Sequence, residues 1–196
     1  RGTSGDGNRT LWNASISYPL MGSYWFITPK ITYSLTHYND IKHARAEIDK
    51  SSTRSLPIYS LDTGLIFERN STVFGRETEQ TLEPRLFYAY IPYRNQRHMP
   101  NFDSSSADLN FAELFTPNKY TGFDRIANTN QLSAVLTTRY IDSGTGKEWF
   151  SATVGQRYYF TDEKVDLYWS NPGKTKNRSD VLAASQFSLF EGWRLE

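Results

Sequence analysis

The chain has 196 residues, a formal net charge of +1 and no cysteine, and its mean hydropathy is −0.62. This length permits one ordinary domain, and the near-zero charge argues against a nucleic-acid binder, which would show a basic patch or stripe. No run approaches 18 apolar residues, so the sequence excludes a transmembrane helix, although strands that expose only alternate residues to lipid stay compatible with it.

The two ends of the chain indicate part of a longer protein. Arg1 is neither a start methionine nor part of a signal peptide with an apolar core. Near the other end, Glu191–Gly192 predicts a turn, and the residues after it resemble a strand that ends abruptly at Glu196. Residues 1–196 are therefore expected to form only part of a domain.

Three long strands are predicted after a glycine- and serine-rich stretch, Arg1–Arg9, that is typical of a loop. The strands are Thr10–Tyr18, about Tyr24–Tyr38 and about Ser55–Arg69. In each strand apolar side chains alternate with polar ones, and this period of two indicates a β-strand between two different solvents. Pro29 lies inside the second strand, where the loss of a ladder donor predicts a local bulge.

The fourth predicted strand, within Glu79–Gln96, has the clearest pattern. Its apolar face consists of Leu82, Pro84, Leu86, Tyr88 and Tyr90. Its other face is mixed and consists of Thr81, Glu83, Arg85, Phe87 and Ala89. About ten residues at roughly 3.3 Å each, tilted by about 45°, cover a bilayer core, whereas soluble strands mostly have about five or six residues. The stretch therefore predicts a transmembrane β-strand.

Three further strands are predicted at Thr129–Ile141, Lys147–Phe160 and Ser179–Phe190. In the sixth strand small residues fill the middle and aromatic residues both ends, so even-numbered positions are expected to meet lipid and odd-numbered positions the lumen. In the seventh strand two sets of apolar residues compete for the lipid side. One set is Val181, Ala183, Phe187 and Leu189, and the other is Leu182 and Ala184.

The predicted connections alternate between short and long. Short turns lie near residues 19–23, 70–76, 142–146 and 191–192, and longer stretches near residues 39–54, 92–128 and 161–178. Outer-membrane barrels have short periplasmic turns and longer extracellular loops, so residues 92–128 are expected to form an extracellular loop. Within it, Phe111–Phe115 is an apolar patch that predicts a helical turn.

Charged residues on the polar faces of the strands are candidates for lining the lumen, namely Glu83, Arg85, Arg139 and Arg157. Glu83 and Arg85 point the same way and can pair with neighbours across the ladder. These two residues have two possible interpretations: they line a polar lumen that contacts cargo, or they belong to an ion-pair network that keeps the strands of the wall in register. Five residues of the long loop supply apolar anchors and charge for a contact inside the barrel, namely Phe102, Lys119, Tyr120, Asp124 and Arg125.

The sequence carries no motif for catalysis or for nucleotide or cofactor binding. The three histidines have no ligand-like spacing: His37, His43 and His98. The loop contains four acidic residues without a calcium-loop motif: Asp103, Asp108, Glu113 and Asp124. We therefore expect no metal, no cofactor and no enzymatic activity.

At this point the residues resemble a known family. Gln80–Gln96, QTLEPRLFYAYIPYRNQ, followed by Pro100–Asp103, is similar to the lipopolysaccharide-assembly outer-membrane family, the LptD or organic-solvent-tolerance family. The preceding strand at Ser55–Arg69, the loop and strand at Glu113–Ser133, and VGQRYYF at Val154–Phe160 resemble the same family in the same order.

The resemblance implies an all-β fold, a transmembrane antiparallel up-and-down β-barrel of about 26 strands, of which residues 1–196 would be a central part. It implies an integral protein of the bacterial outer membrane that inserts lipopolysaccharide into the outer leaflet. It also implies an N-terminal jelly-roll, outside this chain, that receives lipopolysaccharide from a periplasmic Lpt bridge, and a plug lipoprotein, LptE, in the lumen. The long loop is then expected to help seat that plug.

Three other functions fit parts of the pattern. A porin or receptor for small solutes would have the same wall. An outer-membrane enzyme would need a catalytic constellation at the extracellular rim, for which His98 alone is thin support. A soluble β-sandwich that binds carbohydrate would need no membrane.

Overall fold

Ten β-strands form one antiparallel sheet in the computed structural model, which describes residues 6–42, 48–73, 75–167, 176–190 and 193–195. The strands are β1 (Asp6–Ser17), β2 (Leu20–Met21), β3 (Trp25–Lys42), β4 (Ser52–Leu65), β5 (Phe67–Val73), β6 (Arg76–Ile91), β7 (Thr129–Asp142), β8 (Glu148–Tyr159), β9 (Leu182–Phe190) and β10 (Trp193–Leu195). A short 3-10 helix spans Glu113–Phe115. Among these residues, no helical segment is long and apolar enough to cross a membrane.

The sheet order is β1-β3-β4-β6-β7-β8-β9-β10, with β2 paired to β3 and β5 paired to β6. Each strand on this path is antiparallel to the next, so the predicted all-β, up-and-down architecture is confirmed. The chain leaves β3, β6 and β8 at one end of the sheet, which we call the loop end. It leaves β5 and β7 at the opposite end, the turn end.

Several strands extend beyond their predicted bounds. β1 begins at Asp6, inside the predicted loop tail, and β3 continues to Lys42, inside a predicted connection. The strand predicted at about Ser55–Arg69 is divided at Ile66 into β4 and β5, and β5 reaches Val73 through the turn predicted at residues 70–76. The added residues of β1 and β5 are mostly polar, and backbone pairing such as that of Asn70 with Glu79 holds them in the sheet. In the added part of β3, Ile41 is buried beside Tyr38 and Met99. Of the other predicted connections, residues 1–5, 43–47, 74, 168–175 and 191–192 lie outside the described residues.

The bulge predicted at Pro29 is wrong. The register between β3 and β4 runs unbroken through the pair formed by Pro29 and Leu61. The carbonyl of Pro29 instead accepts a hydrogen bond of 3.0 Å from the amide of Tyr18, one residue beyond the end of β1. The nitrogen of a strand residue points to the same side as its carbonyl, so the missing N–H faces the end of β1 and no bond to β4 is lost.

The two faces of the sheet differ in cover. One face, here called the outer face, exposes large apolar residues that include Ile31, Tyr59, Leu61, Leu82, Leu86, Tyr88, Tyr90, Leu136, Val154 and Tyr158. The opposite face, the inner face, is covered by residues 92–128. Its buried residues include Thr81, Phe87, Ala89, Ser133 and Arg157. The core lies between this face and the loop, where Leu56 and Ile91 pack against Ile126.

The register of β9 shows which of its two sets of apolar residues lies on the outer face, a question that the sequence left open. Ala183 lies opposite Val154 of the outer face, and Leu182 lies opposite Gly155 of the inner face. Phe187 is 40% exposed and shares the outer face with Ala183. The strand starts at Leu182, three residues later than the predicted start at Ser179, although the amide of Ser179 still donates to the carbonyl of Arg157 at 2.8 Å.

Candidate functional site

Residues 92–128 form a loop that folds back over the inner face. The predicted helical turn appears as the 3-10 helix Glu113–Phe115. The ring of Phe115 lies 6.2 Å from that of Phe87 on β6, and the guanidinium of Arg85 lies 3.8 Å from the Phe115 centroid. Leu114 is fully buried. The loop therefore has its own apolar anchor on the middle strands.

Asp124 is the centre of a buried polar cluster at the loop end. Its Oδ1 accepts hydrogen bonds of 2.8 Å from Arg9 of β1 and 2.8 Å from the hydroxyl of Tyr38 of β3. Its Oδ2 accepts the backbone N–H groups of Phe102, at 2.6 Å, and Asp103, at 2.8 Å. The side chain is fully buried, so each of these donors replaces water. One carboxylate near the end of the loop thus connects β1 and β3 to residues near the start of the loop.

Arg54 attaches the same loop to β4. Its Nη1 donates to Gln96 Oε1 at 2.9 Å and to the carbonyl of Asp124 at 2.7 Å. Its Nη2 donates to Thr36 Oγ1 at 3.0 Å and to the carbonyl of Phe123 at 2.7 Å. The planar guanidinium can satisfy four acceptors at once, which a lysine in this position could not do.

Arg125 closes the loop on itself. Its Nη2 donates to the carbonyl of Met99 at 2.8 Å and its Nη1 to that of Pro100 at 2.9 Å. Burial lowers the pKa of Arg125, because the charged guanidinium has lost its water. Gln96 adds a second link by donating to the carbonyl of Ile126 at 2.7 Å.

Asp103 completes the cluster at its exposed edge. Its carboxylate binds Arg9 at 2.8 Å and accepts the amide of Phe123 at 3.0 Å. The hydrogen bond from Arg9 lowers the pKa of Asp103 from 3.8 to about 2, and the amide of Phe123 adds to the effect. Gly122 has φ +70, and a Cβ there would lie 2.5 Å from the carbonyl oxygen of Asp103. We call this cluster the loop clasp: Arg9, Tyr38, Arg54, Gln96, Asp103, Asp124 and Arg125.

A second attachment joins the loop to the segment after β8. The hydroxyl of Tyr120 lies 2.7 Å from Glu163 Oε1 and 2.7 Å from the carbonyl of Val165. Lys119 forms an ion pair with Glu163. Burial and the neighbouring carboxylate raise the pKa of Tyr120, so its hydroxyl stays a donor.

A third attachment holds the helical turn on β7 and β8. Arg157 donates through Nη2 to the carbonyl of Glu113 and through Nε to Ser133 Oγ at 3.3 Å. Gln131 donates to the carbonyl of Thr116 at 3.1 Å. The three attachments together bind one loop to β1, β3, β4, β7 and β8.

The charged residues predicted for the lumen all lie on the inner face. Arg85 makes two hydrogen bonds to Asp62 of β4, of 2.9 and 2.6 Å. Glu83 pairs with Arg139 of β7 at 3.0 Å, and Arg139 also binds Glu148 of β8 at 2.9 Å. Each of these residues pairs with a neighbouring strand, whereas Arg157 lies beneath the loop. Contact of this face with a lumen stays a prediction.

The structure separates the five loop residues named from the sequence. Tyr120, Asp124 and Arg125 are buried and bind the chain itself, whereas Phe102 and Lys119 are partly exposed. Sequence reasoning missed the clasp partners Arg9, Tyr38, Arg54 and Gln96. A usable signal existed, because Tyr38 and Arg54 occupy inner-face positions of strands that end beside the longest loop.

The described residues contain no group of three or more His, Cys, Asp or Glu side chains that could hold a metal ion. Two of the acidic residues of the loop, Asp103 and Asp124, bind Arg9 instead. His43 lies outside the described residues. The site is thus a set of structural attachments around a loop.

The fold and the loop define a class of protein: the wall of a transmembrane, up-and-down β-barrel with an apolar outer face and a loop folded onto its polar inner face. The family model described as LPS transport system D matches residues 1–196, and the chain belongs to this family.

Curated relatives agree with the family model. The chain is 42% identical over 195 residues to the LPS-assembly protein LptD of Paraburkholderia xenovorans, covering 97% of this chain and 25% of the relative. It is 40% identical over 194 residues to that of Thiobacillus denitrificans, covering 99% and 26%. It is 46% identical over 179 residues to that of Aromatoleum aromaticum, covering 91% and 22%. The chain thus spans about a quarter of the length of these relatives.

Proposed function

We propose that this chain forms part of the wall of a translocon that inserts lipopolysaccharide into the outer leaflet of the Gram-negative outer membrane. The match of the family model to residues 1–196 carries the proposal, and the relatives named for lipopolysaccharide assembly support it. The wall acts by shape and polarity and not by catalysis. The lipopolysaccharide, the plug lipoprotein LptE, the periplasmic bridge and the lipid of the outer membrane are its partners.

The outer face has the dimensions of a membrane-spanning surface. Phe150 at the turn end and Tyr158 at the loop end of β8 are eight residues apart, which corresponds to about 26 Å along the strand. A tilt of about 40° reduces this to roughly 20 Å along the membrane normal, close to the height of the apolar band in outer-membrane barrels. Tyr140 and Phe187 extend the aromatic row beside Phe150, with ring centroids 5.6 and 4.5 Å away.

The loop end then faces the outside of the cell and the turn end the periplasm. Single cysteines at Ser105 and Gly144 in the full-length protein should react oppositely with a membrane-impermeant thiol reagent on intact cells. A Cβ at Gly144 would have no neighbour closer than 3.5 Å, so the second substitution should not disturb the turn. Equal labelling of both cysteines would contradict this orientation.

Depletion of the full-length protein tests the transport function directly. Newly made lipopolysaccharide should stop reaching the cell surface, as measured with an impermeant reagent that modifies only exposed molecules. A plasmid copy of the full-length protein should restore delivery. Undiminished delivery after depletion would overturn the proposal.

We further propose that the loop helps seat the plug lipoprotein. Phe102 and Lys119 are exposed enough to contact it, whereas Tyr120, Asp124 and Arg125 act by holding the loop in place. Deleting Asn101–Phe123 should leave the strands insertable but weaken co-purification of the plug and admit large antibiotics. Asp108→Ala, on the exposed surface of the loop, is the matched control. Normal plug recovery with the deletion would make the loop a passive cover.

A further inference from the structure

A cavity of about 290 Å³ opens at the loop end of β7 and β8. Its wall comes from four parts of the chain: the loop, the first residues of β7, the end of β8 with the segment after it, and the segment before β9. The clasp residues Arg54, Asp124 and Arg125 do not line it. The volume is at the lower end of the range for small-molecule sites, so the cavity suits one or two sugar rings.

Amide and hydroxyl side chains make up half of the residues that line this cavity, and five charged side chains line it as well: Lys119, Glu163, Lys176, Arg178 and Asp180. The amide and hydroxyl groups include those of Asn128, Thr129, Gln131 and Thr161, and the phenol ring of Tyr159 lies beside them. The aliphatic side chains of the wall are limited to Leu109 and Ala127. Such a lining offers hydrogen bonds to a ligand rich in hydroxyl groups.

Part of the wall is held in place by bonds to the chain itself. Asn128 donates to the carbonyl of Asp162 at 2.9 Å and accepts the amide of Lys164 at 2.7 Å. Gln131 is fixed by its bond to the carbonyl of Thr116. A wall that is already ordered loses little conformational entropy when a ligand binds.

Two cations of the wall are available for an anionic group. Lys176 and Arg178 are exposed, and neither side chain has an ion-pair partner among the residues that the structure describes. Ammonium and guanidinium groups form charge-assisted hydrogen bonds with phosphate oxygens. The third cation, Lys119, is already paired with Glu163.

We propose that this cavity binds a phosphorylated sugar, in the saccharide part of the lipopolysaccharide that the proposed function assigns as cargo. Lys176 and Arg178 bind the phosphate, while Asn128 and Thr161 bind ring hydroxyls and Tyr159 packs against the ring. The site lies at the end of the wall where a saccharide would leave the barrel.

The test uses the full-length protein with its plug in detergent and the phosphorylated oligosaccharide released from lipopolysaccharide by mild acid. Calorimetry should show binding that weakens when the same oligosaccharide is dephosphorylated. The double variant Lys176→Gln/Arg178→Gln should weaken binding by roughly tenfold or more, the value of a lost charge-assisted hydrogen bond. Thr161→Trp, which fills the cavity without a change of charge, should abolish binding of both probes.

Lys164→Gln is the matched control, because Lys164 is exposed on the same segment and lies over the ring of Tyr93, outside the cavity wall. It should bind both probes like the wild type. Equal affinity for the two oligosaccharides, or equal weakening by the control and the double variant, would overturn the assignment. If the wild type delivers lipopolysaccharide in cells but binds neither probe, the cavity proposal fails and the proposed function stands.

Discussion

The outer and inner faces of this sheet are specified in different ways. The outer face is a row of apolar side chains, and any of several could replace another without loss of a particular partner. The inner face holds the ion pairs of the sheet and the loop clasp, in which Asp124 has four named donors. A surface that meets one uniform solvent is determined by polarity, whereas a surface covered by the chain itself is determined by individual pairings.

Among the substitutions that test this difference between the faces, Asp124→Ala should destabilise the protein most. It leaves the Tyr38 hydroxyl and two backbone amides without an acceptor and removes one of the two carboxylates that bind Arg9, and breaking such a buried set costs about 3–5 kcal/mol. Limited trypsin digestion of the purified full-length protein should then cut the loop at Arg97 or Lys119 at least roughly a hundredfold faster, because cleavage follows the open population.

Asp108→Ala is the control for that experiment, since Asp108 is exposed in the same loop. Its effect should stay within about 0.5 kcal/mol, as for most surface substitutions. Unchanged trypsin resistance of Asp124→Ala would show that the clasp does not hold the loop.

Ala152→Arg and Thr153→Arg compare the two faces at neighbouring positions of β8. Ala152 belongs to the outer face, and Thr153 belongs to the inner face, where its hydroxyl lies 3.0 Å from that of Thr137. The first change should lower the free energy of unfolding by roughly 2–4 kcal/mol if the residue lies near the bilayer midplane. The second should cost much less. Urea titrations in lipid vesicles measure both, and the reverse ranking would mean that the faces are exchanged.

Gly155→Ala tests how closely the loop packs on the inner face. The added Cβ would lie 2.8 Å from Leu114 Cδ1 and 2.9 Å from Val135 Cγ2, so these side chains must move. We expect a loss of about 1 kcal/mol in the free energy of unfolding. Gly144→Ala has its nearest neighbour at 3.5 Å and should change nothing measurable. An equal effect of the two substitutions would argue against a tightly seated loop.

Lowering the pH should produce the smallest effect, at the exposed edge of the clasp. The pKa of Asp103 falls from 3.8 to about 2 because of the bond from Arg9, so its stabilising contribution is present above the ordinary pKa and is lost as the pH falls through about 2. Trypsin is inactive there, so pepsin cleavage of the loop between pH 4 and pH 2 is the measurement. Asp103→Asn should flatten that pH dependence, and an unchanged profile would assign it to another group.

The strands and their faces could be predicted because the relevant signal is local. The alternation of Leu82 and Leu86 with more polar residues predicts, for each position of the strand, on which face of the sheet its side chain lies. The pattern was too weak in β9 to predict which face its apolar residues occupy. The bulge predicted at Pro29 was wrong because the nitrogen of Pro29 faces the end of β1, where no ladder bond is lost.

The sequence by itself determined an all-β wall, the long connections at one end and the family resemblance, since each of these depends on residues close together in the chain. The clasp was decided only by the tertiary structure. Arg9 and Tyr38 are 115 and 86 residues away from Asp124, and they meet it only after β1, β3 and β4 have paired in register. Nothing in the local pattern distinguishes a buried aspartate from a solvated one. Its burial follows from a loop that must satisfy its backbone groups against distant strands.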